Sequence, residues 1–157
     1  MTPTPASETT LADRLEGLTF GAAFSREELH VLSGSLLENA FPAGAVIIQE
    51  GRRATSLAFI ETGTVTIQKE ERGDSERHII ALSRNAVIGE IAFFDNEPRS
   101  ATVVAQTDVS LLILTRERFD ALAETHPDLA IKVLFYIGQV LSRRLRQVTG
   151  RYVGLLA

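Results

Sequence analysis

Six short strand-like stretches, 45–49, 57–61, 64–69, 78–82, 101–105 and 109–114, follow one another along the middle of this chain. Turn residues separate them: Phe41-Pro42-Ala43-Gly44, Gly51-Arg52-Arg53, Thr62-Gly63, the charged stretch 70–76 with Gly73-Asp74, and Gln106-Thr107-Asp108. Strands this short, following one another with glycine at most corners, predict an antiparallel barrel or jelly roll.

Helical patterns flank the strands. Residues 11–18 have weak helical periodicity, and Ser25-Arg26-Glu27-Glu28 is a capping box in which Ser25 caps the Glu28 amide and the Glu28 carboxylate reaches back. Leu29, Leu32, Leu36 and Leu37 follow at helical spacing, so residues 11–39 read as N-terminal helices that pack one face. After the last strand, Thr115 can cap a helix carrying Phe119, Leu122 and Ala123. A second start follows, with Thr125 as N-cap, Pro127 in the first turn and Asp128 at the positive end. The helix it opens is expected to run to about Tyr152. Its apolar positions Leu134, Ile137, Leu141, Leu145, Val148 and Tyr152 form a nearly continuous seam. A roll absorbs only the first turns of such a helix. The rest calls for a partner, most simply a second copy, which predicts a homodimer. The expected fold class is therefore mainly β: an antiparallel β-roll of the double-stranded β-helix type, with N-terminal helices and a long C-terminal helix.

At 157 residues, with 45% hydrophobic and 23% charged positions, the chain suits one soluble domain and leaves little room for a second. The expected organisation is a disordered tail over 1–10, helices over 11–39, the β-roll over 40–115, and a hinge with the last helix over 116–157. The longest apolar runs, 111–114 and 133–137, fall far short of the roughly 18–20 residues of a membrane span. The first ten residues are rich in Thr, Pro and Ser and lack the basic and apolar regions of a secretory signal. There is no cysteine, which excludes disulfides, thiol catalysis and cysteine-held zinc and fits a reducing cytoplasm. The net charge is −4, yet from Leu129 onward the only charged residues are Lys132, Arg143, Arg144, Arg146 and Arg151, a sum of +5. The preceding 128 residues therefore carry −9. Cations in the C-terminal half of a helix suit its dipole, and they also offer a surface to an anionic partner.

The segment from Ile88 to Val104 carries the chemistry. Gly89 permits close backbone approach, and a helical turn beginning at Glu90 leaves amide N–H groups without internal partners, an arrangement that attracts anions. Asp95-Asn96-Glu97-Pro98 makes a turn, after which Arg99 enters a strand of small and apolar residues. A guanidinium entering a barrel is costly unless an anion pairs with it, and its forked donors match phosphate oxygens. Glu90 repels a phosphate but can accept a hydrogen bond from a nearby hydroxyl. A sugar phosphate satisfies both demands.

Gly89-Glu90-Ile91-Ala92 followed by Arg99-Ser100-Ala101-Thr102-Val103 resembles the phosphate-binding cassette of cyclic nucleotide-binding domains, the type found in the catabolite activator protein and in regulatory subunits of cAMP-dependent protein kinase. Phe41-Pro42-Ala43-Gly44, Glu50-Gly51, Ile60 to Val65 and the Arg143-Arg144-Leu145-Arg146 helix are similar to the same family, so the resemblance covers roughly residues 20–150. It implies a cassette over 88–101. In it, Glu90 accepts the ribose 2′-hydroxyl, Arg99 pairs with the cyclic phosphate and the backbone of Gly89, Glu90, Ile91 and Ala92 lines phosphate and ribose. Ser100 adds a hydroxyl, Ala101 lies beside it, and Ile79, Ile80 and Ile88 supply apolar contacts. It also implies a base-capping residue on the last helix, with Arg143, Arg146, Gln147 and Thr149 as candidates. Many members have Gly-Asp where this chain has Asn85-Ala86, and Asn can hold a left-handed turn. Ser100 in place of Thr leans toward cAMP over cGMP.

The expected function is thus a stand-alone cyclic nucleotide sensor that binds without catalysing and signals through movement of its C-terminal helices to an unknown effector. No resident cofactor or metal and no membrane are expected. Metal-dependent cupins share the roll but use closely spaced His and Glu ligands; His30, His78 and His126 are scattered, with no His-x-His, and no nucleophile–base pair is evident. Phe93-Phe94 reads as core packing. One alternative is an interaction module of the same fold that ignores nucleotides. Another is a DNA-binding regulator, disfavoured because no helix-turn-helix follows residue 150.

Overall fold

The computed structural model describes residues 9–69 and 79–156. Among the described residues, eight strands form two antiparallel four-stranded sheets. The first orders β1 (Leu37–Phe41), β8 (Val109–Thr115), β3 (Ser56–Thr62) and β6 (Val87–Ile88). The second orders β2 (Val46–Ile48), β7 (Thr102–Ala105), β4 (Val65–Gln68) and β5 (Ile79–Leu82). The helices are α1 (Leu11–Glu16), a 3-10 turn at Phe20–Ala23, α2 (Arg26–Ser33), α3 (Glu90–Asp95), α4 (Arg116–Thr125) and α5 (Pro127–Leu156). This is the expected β-roll with flanking helices.

The central strands of the first sheet, β3 and β8, are packed on both faces, which explains their nearly unbroken apolar runs. On β3, Ala58 and Ile60 point between the sheets while Leu57 and Phe59 point to the helices. On β8, Val109, Leu111 and Ile113 face inward, and Leu112 and Leu114 face the helices. The helical side closes around Phe20, whose ring stacks on Phe59 at 4.3 Å and meets Phe24 at 4.8 Å and Tyr136 of α5 at 5.0 Å. One aromatic group therefore joins sheet, N-terminal segment and last helix.

Polar contacts fix the same junction. Arg14 of α1 donates from two guanidinium nitrogens to the buried Glu61 carboxylate at 2.6 and 2.8 Å, and the Ser110 hydroxyl donates to it at 3.3 Å. Arg84 bridges the Glu61 and Gly17 carbonyls, and Asn85 accepts the Thr19 amide. Asn85 holds the left-handed conformation expected of it, at φ 75°.

Several boundaries differ from expectation. The capping box at Ser25 and Glu28 is present, and Thr10 with Asp13 makes another. Thr10 therefore belongs to the fold; residues 1–8 of the expected tail lie outside the described residues, as does His78. The N-terminal helices end at Ser33, not residue 39, because Leu37–Phe41 is drawn into a strand by pairing along β8, from Leu37 with Ile113 to Phe41 with Val109. The two-residue β6 was also unforeseen. Arg99 precedes its strand, which begins at Thr102. Thr125 is not an N-cap. It is the last residue of α4, and its hydroxyl donates back to the Ala121 carbonyl at 3.1 Å. His126 separates the two helices and starts the second by accepting the Ala130 amide at 3.0 Å.

The seam on α5 divides. Ile137 is fully buried in this chain's own core, and Leu134 and Leu141 pack against that core, so Ile137 is corrected from a partner contact to a core residue. Leu145, Val148 and Tyr152 remain exposed. Phe93 is buried, edge-on to Phe119 at 5.6 Å, as core packing requires, while Phe94 is half-exposed. Among the described residues no helix is long and apolar enough to cross a membrane, and no three His, Cys, Asp or Glu side chains are grouped to hold a metal.

Candidate functional site

β6 ends in the roll interior and hands the chain to α3 through Gly89, at φ 75°. A Cβ on Gly89 would lie 2.6 Å from an Arg99 guanidinium nitrogen and 2.9 Å from the Ser56 carbonyl oxygen. Neither the backbone angle nor the space admits a side chain. Arg99 returns beneath this corner after the 95–98 turn, its backbone held by Arg52 and Gly51: its N–H donates to the Arg52 carbonyl at 2.8 Å and its carbonyl accepts from Gly51 at 2.9 Å.

These elements enclose a cavity of about 120 Å³. Eight expected residues line it: Ile88, Gly89, Glu90, Ile91, Ala92, Arg99, Ser100 and Ala101. Ile48, Ile67 and Val103 complete the wall and were missed; each is an apolar strand residue indistinguishable in sequence from core. Ile80 does not line the cavity. It is 55% exposed and pairs across β4–β5 with Ile67, which does line it. The Ile79 side chain lies outside the described residues.

The charges are unequal. Arg99 is only 7% exposed, and its guanidinium donates to two neutral oxygens, the Gly89 carbonyl at 2.9 Å and the Ser56 hydroxyl at 3.1 Å. Burial pushes this guanidinium below its ordinary pKa, and the nearby Glu90 carboxylate opposes that shift. Glu90 is equally buried, but its carboxylate is ion-paired with Arg144 of α5, which also donates to the Val87 carbonyl at 2.5 Å. With Glu90 neutralised by Arg144, Arg99 leaves the cavity with one uncompensated positive charge. A buried cation with only neutral partners favours an anion beside it.

Arg144 is the residue that sequence reasoning overlooked, though it lies between two named candidates. Arg143 and Arg146 instead line a groove on the outer side of α5 with Leu134, Phe135 and Gly138. Gln147 and Thr149 are exposed, and the Thr149 hydroxyl donates to the Leu145 carbonyl. In this structure none of the four lines the cavity. A helix advances about 100° per residue, so only one of the neighbouring arginines can point inward. The cassette is tied to α4 as well: Arg116 donates to the Phe93 carbonyl at 3.3 Å and lies over the Phe93 ring.

Comparison with known proteins agrees with this geometry. A family model described as cyclic nucleotide-binding domain matches residues 38–126. The chain is 38% identical over 89 residues to a cyclic nucleotide-gated potassium channel of Rhizobium etli, covering 57% of this chain and 23% of the channel. It is 30% identical over 121 residues to the cyclic AMP receptor protein of Thermus thermophilus, covering 77% of this chain and 54% of the relative. It thus spans about half the length of the second and less of the first. Among solved structures, a cyclic nucleotide-binding domain from Methylobacillus flagellatus superposes with a TM-score of 0.79 at 27% identity, covering 91% of this chain and 80% of that one. The paired signature of Glu90 and Arg99, the roll that buries them and the match over 38–126 agree: the chain belongs to the cyclic nucleotide-binding domain family.

Proposed function

We propose that this chain is a regulatory sensor that binds cAMP, with cGMP as the alternative ligand, in the cavity between α3 and the roll, and that it binds without catalysing. The observation that carries this reading is the uncompensated charge of buried Arg99 in a cavity that also holds a carboxylate. An anionic phosphate meets Arg99, and Ser100 stands beside it. A sugar hydroxyl meets Glu90. The Thermus relative is named for cyclic AMP, which favours that nucleotide.

Signal transfer rests on two links. α3 is held to α4 through Arg116 and to α5 through Arg144. A ligand that draws α3 inward changes both contacts and so the position of the last helix, to the extent that it binds the two positions unequally. The exposed Leu145, Val148 and Tyr152 give that helix a surface for a second copy of the chain. Work in the cytoplasm suits a chain without cysteine.

Calorimetry with cAMP tests the reading. Arg99→Leu is expected to weaken binding by about 2–5 kcal/mol, since a phosphate would be buried without its cation. Unchanged affinity would remove Arg99 from the site. A thermal-shift screen with cAMP, cGMP, cyclic dinucleotides and AMP sets the ligand class; about 2.7 kcal/mol of stabilisation is expected at a hundred times the dissociation constant. The second reading, an interaction module indifferent to nucleotides, is favoured by Arg144 already occupying Glu90. It predicts no shift with any of these compounds.

A further inference from the structure

We propose that Ser56, outside the cavity, is a positioning residue that holds the Arg99 guanidinium ready for an anion without compensating its charge. This role rests on the cyclic nucleotide reading of the cavity. Ser56 opens β3 and pairs across the sheet with Thr115 of β8. It is half-buried and is not among the residues that line the cavity. It meets the cassette corner twice all the same. Its carbonyl oxygen closes the space beside Gly89, 2.9 Å from where a Cβ would stand, and its hydroxyl accepts from Arg99 at 3.1 Å.

One connection, between β2 and β3, holds the whole of Arg99. The Gly51 amide donates to the Arg99 carbonyl and the Arg52 carbonyl accepts the Arg99 amide, which fixes the main chain. Arg53 donates to the Asn96 carbonyl at 3.4 Å and so grips the turn that precedes Arg99. Ser56, where the connection ends, fixes the tip of the side chain. Immobilising so flexible a side chain costs conformational entropy, and a site in which it is already immobilised binds its ligand more tightly.

The chemistry of the holder matters as much as its place. A guanidinium has five N–H donors. Among the described residues two are committed, one to the Gly89 carbonyl and one to the Ser56 hydroxyl, and the others are left for oxygens in the cavity. Both acceptors are neutral, so the side chain is held with its charge intact. A carboxylate at position 56 would hold it too, but in an ion pair that an incoming phosphate would have to break. A hydroxyl accepts the bond and adds no charge; alanine in its place accepts nothing.

Calorimetry with cAMP and ligand-free melting curves on variants of the full chain test this. Ser56→Asp and Ser56→Asn have nearly the same shape and differ in charge. Ser56→Asp is expected to bind cAMP about tenfold or more weakly than Ser56→Asn. Without ligand it should nevertheless melt no earlier, because its carboxylate pairs with Arg99. A merely structural position would lower stability and affinity together. Ser56→Ala should weaken binding by about threefold to tenfold through the lost hydrogen bond. Ser56→Thr, which keeps the hydroxyl, should recover most of that loss. If the wild type binds cAMP and Ser56→Asp binds it as well as Ser56→Asn does, the role of Ser56 falls and the nucleotide reading stands. The same holds if the affinity and melting temperature of Ser56→Asp fall in step. A wild-type chain that binds neither cAMP nor cGMP removes the nucleotide reading, and this role with it.

Discussion

Arg144 of the last helix and Glu90 of the cassette form an ion pair across 54 positions of sequence, and no other charged contact links α5 to the cavity among the described residues. Because Glu90 is nearly buried while Arg144 is partly exposed, losing Arg144 leaves a carboxylate in a poorly hydrated place. A double-mutant cycle on Arg144→Ala and Glu90→Gln, read by urea denaturation, should give a coupling energy of about 0.5–3 kcal/mol. Additive effects would mean that the helix is held by its apolar face alone.

Gly89→Ala should damage stability and binding together. The left-handed backbone at this position costs a non-glycine residue about 1–3 kcal/mol, and the new methyl group would displace Arg99 from its hydrogen bond to the Gly89 carbonyl. A melting curve and a cAMP titration measure the two effects. A variant that melts early yet binds normally would show that the Arg99 position tolerates a shift of the corner.

The roll and the cassette were legible for different reasons. Strands between glycine corners advertise themselves through length and period, and Glu90 and Arg99 stand out because charges are rare among apolar neighbours. β1 was not legible: its residues Leu37 to Phe41 are exposed or half-buried, and only pairing with β8 makes them a strand. The cavity wall from Ile48, Ile67 and Val103 was hidden because an apolar strand residue reads alike whether it faces core or ligand. Arg144 was hidden because a one-residue step along a helix decides between cavity and solvent, and that rotation depends on how Phe20, Tyr136 and Ile137 seat the helix.

Glu61 predicts an acid limit to stability. Hydrogen bonds from Arg14 hold its carboxyl below the ordinary 4.5, more strongly than burial raises it. A carboxylate whose folded pKa is depressed contributes stability that is present above the unfolded value and lost as pH falls through the folded one. Urea midpoints should therefore decline as pH drops below 4.5, and Glu61→Gln should flatten that decline while lowering stability at neutral pH. An identical acid slope in the variant would assign it to other carboxylates.

The exposed half of the α5 seam predicts self-association. Leu145, Val148 and Tyr152 repeat at intervals of three and four, the spacing of a two-helix seam, and are 66%, 58% and 68% exposed. Arg151 flanks them, and no acidic residue on the helix answers it across the seam, so apolar burial must drive pairing against like-charge repulsion. Light scattering should give twice the 17.2 kDa chain mass at high concentration, with association strengthened by salt. Leu145→Glu places a carboxylate in the apolar seam and should restore a 17.2 kDa monomer without changing the melting temperature, because the side chain is largely solvated in the isolated chain. A wild-type chain that remains at 17.2 kDa in high salt would show that this surface serves some other contact.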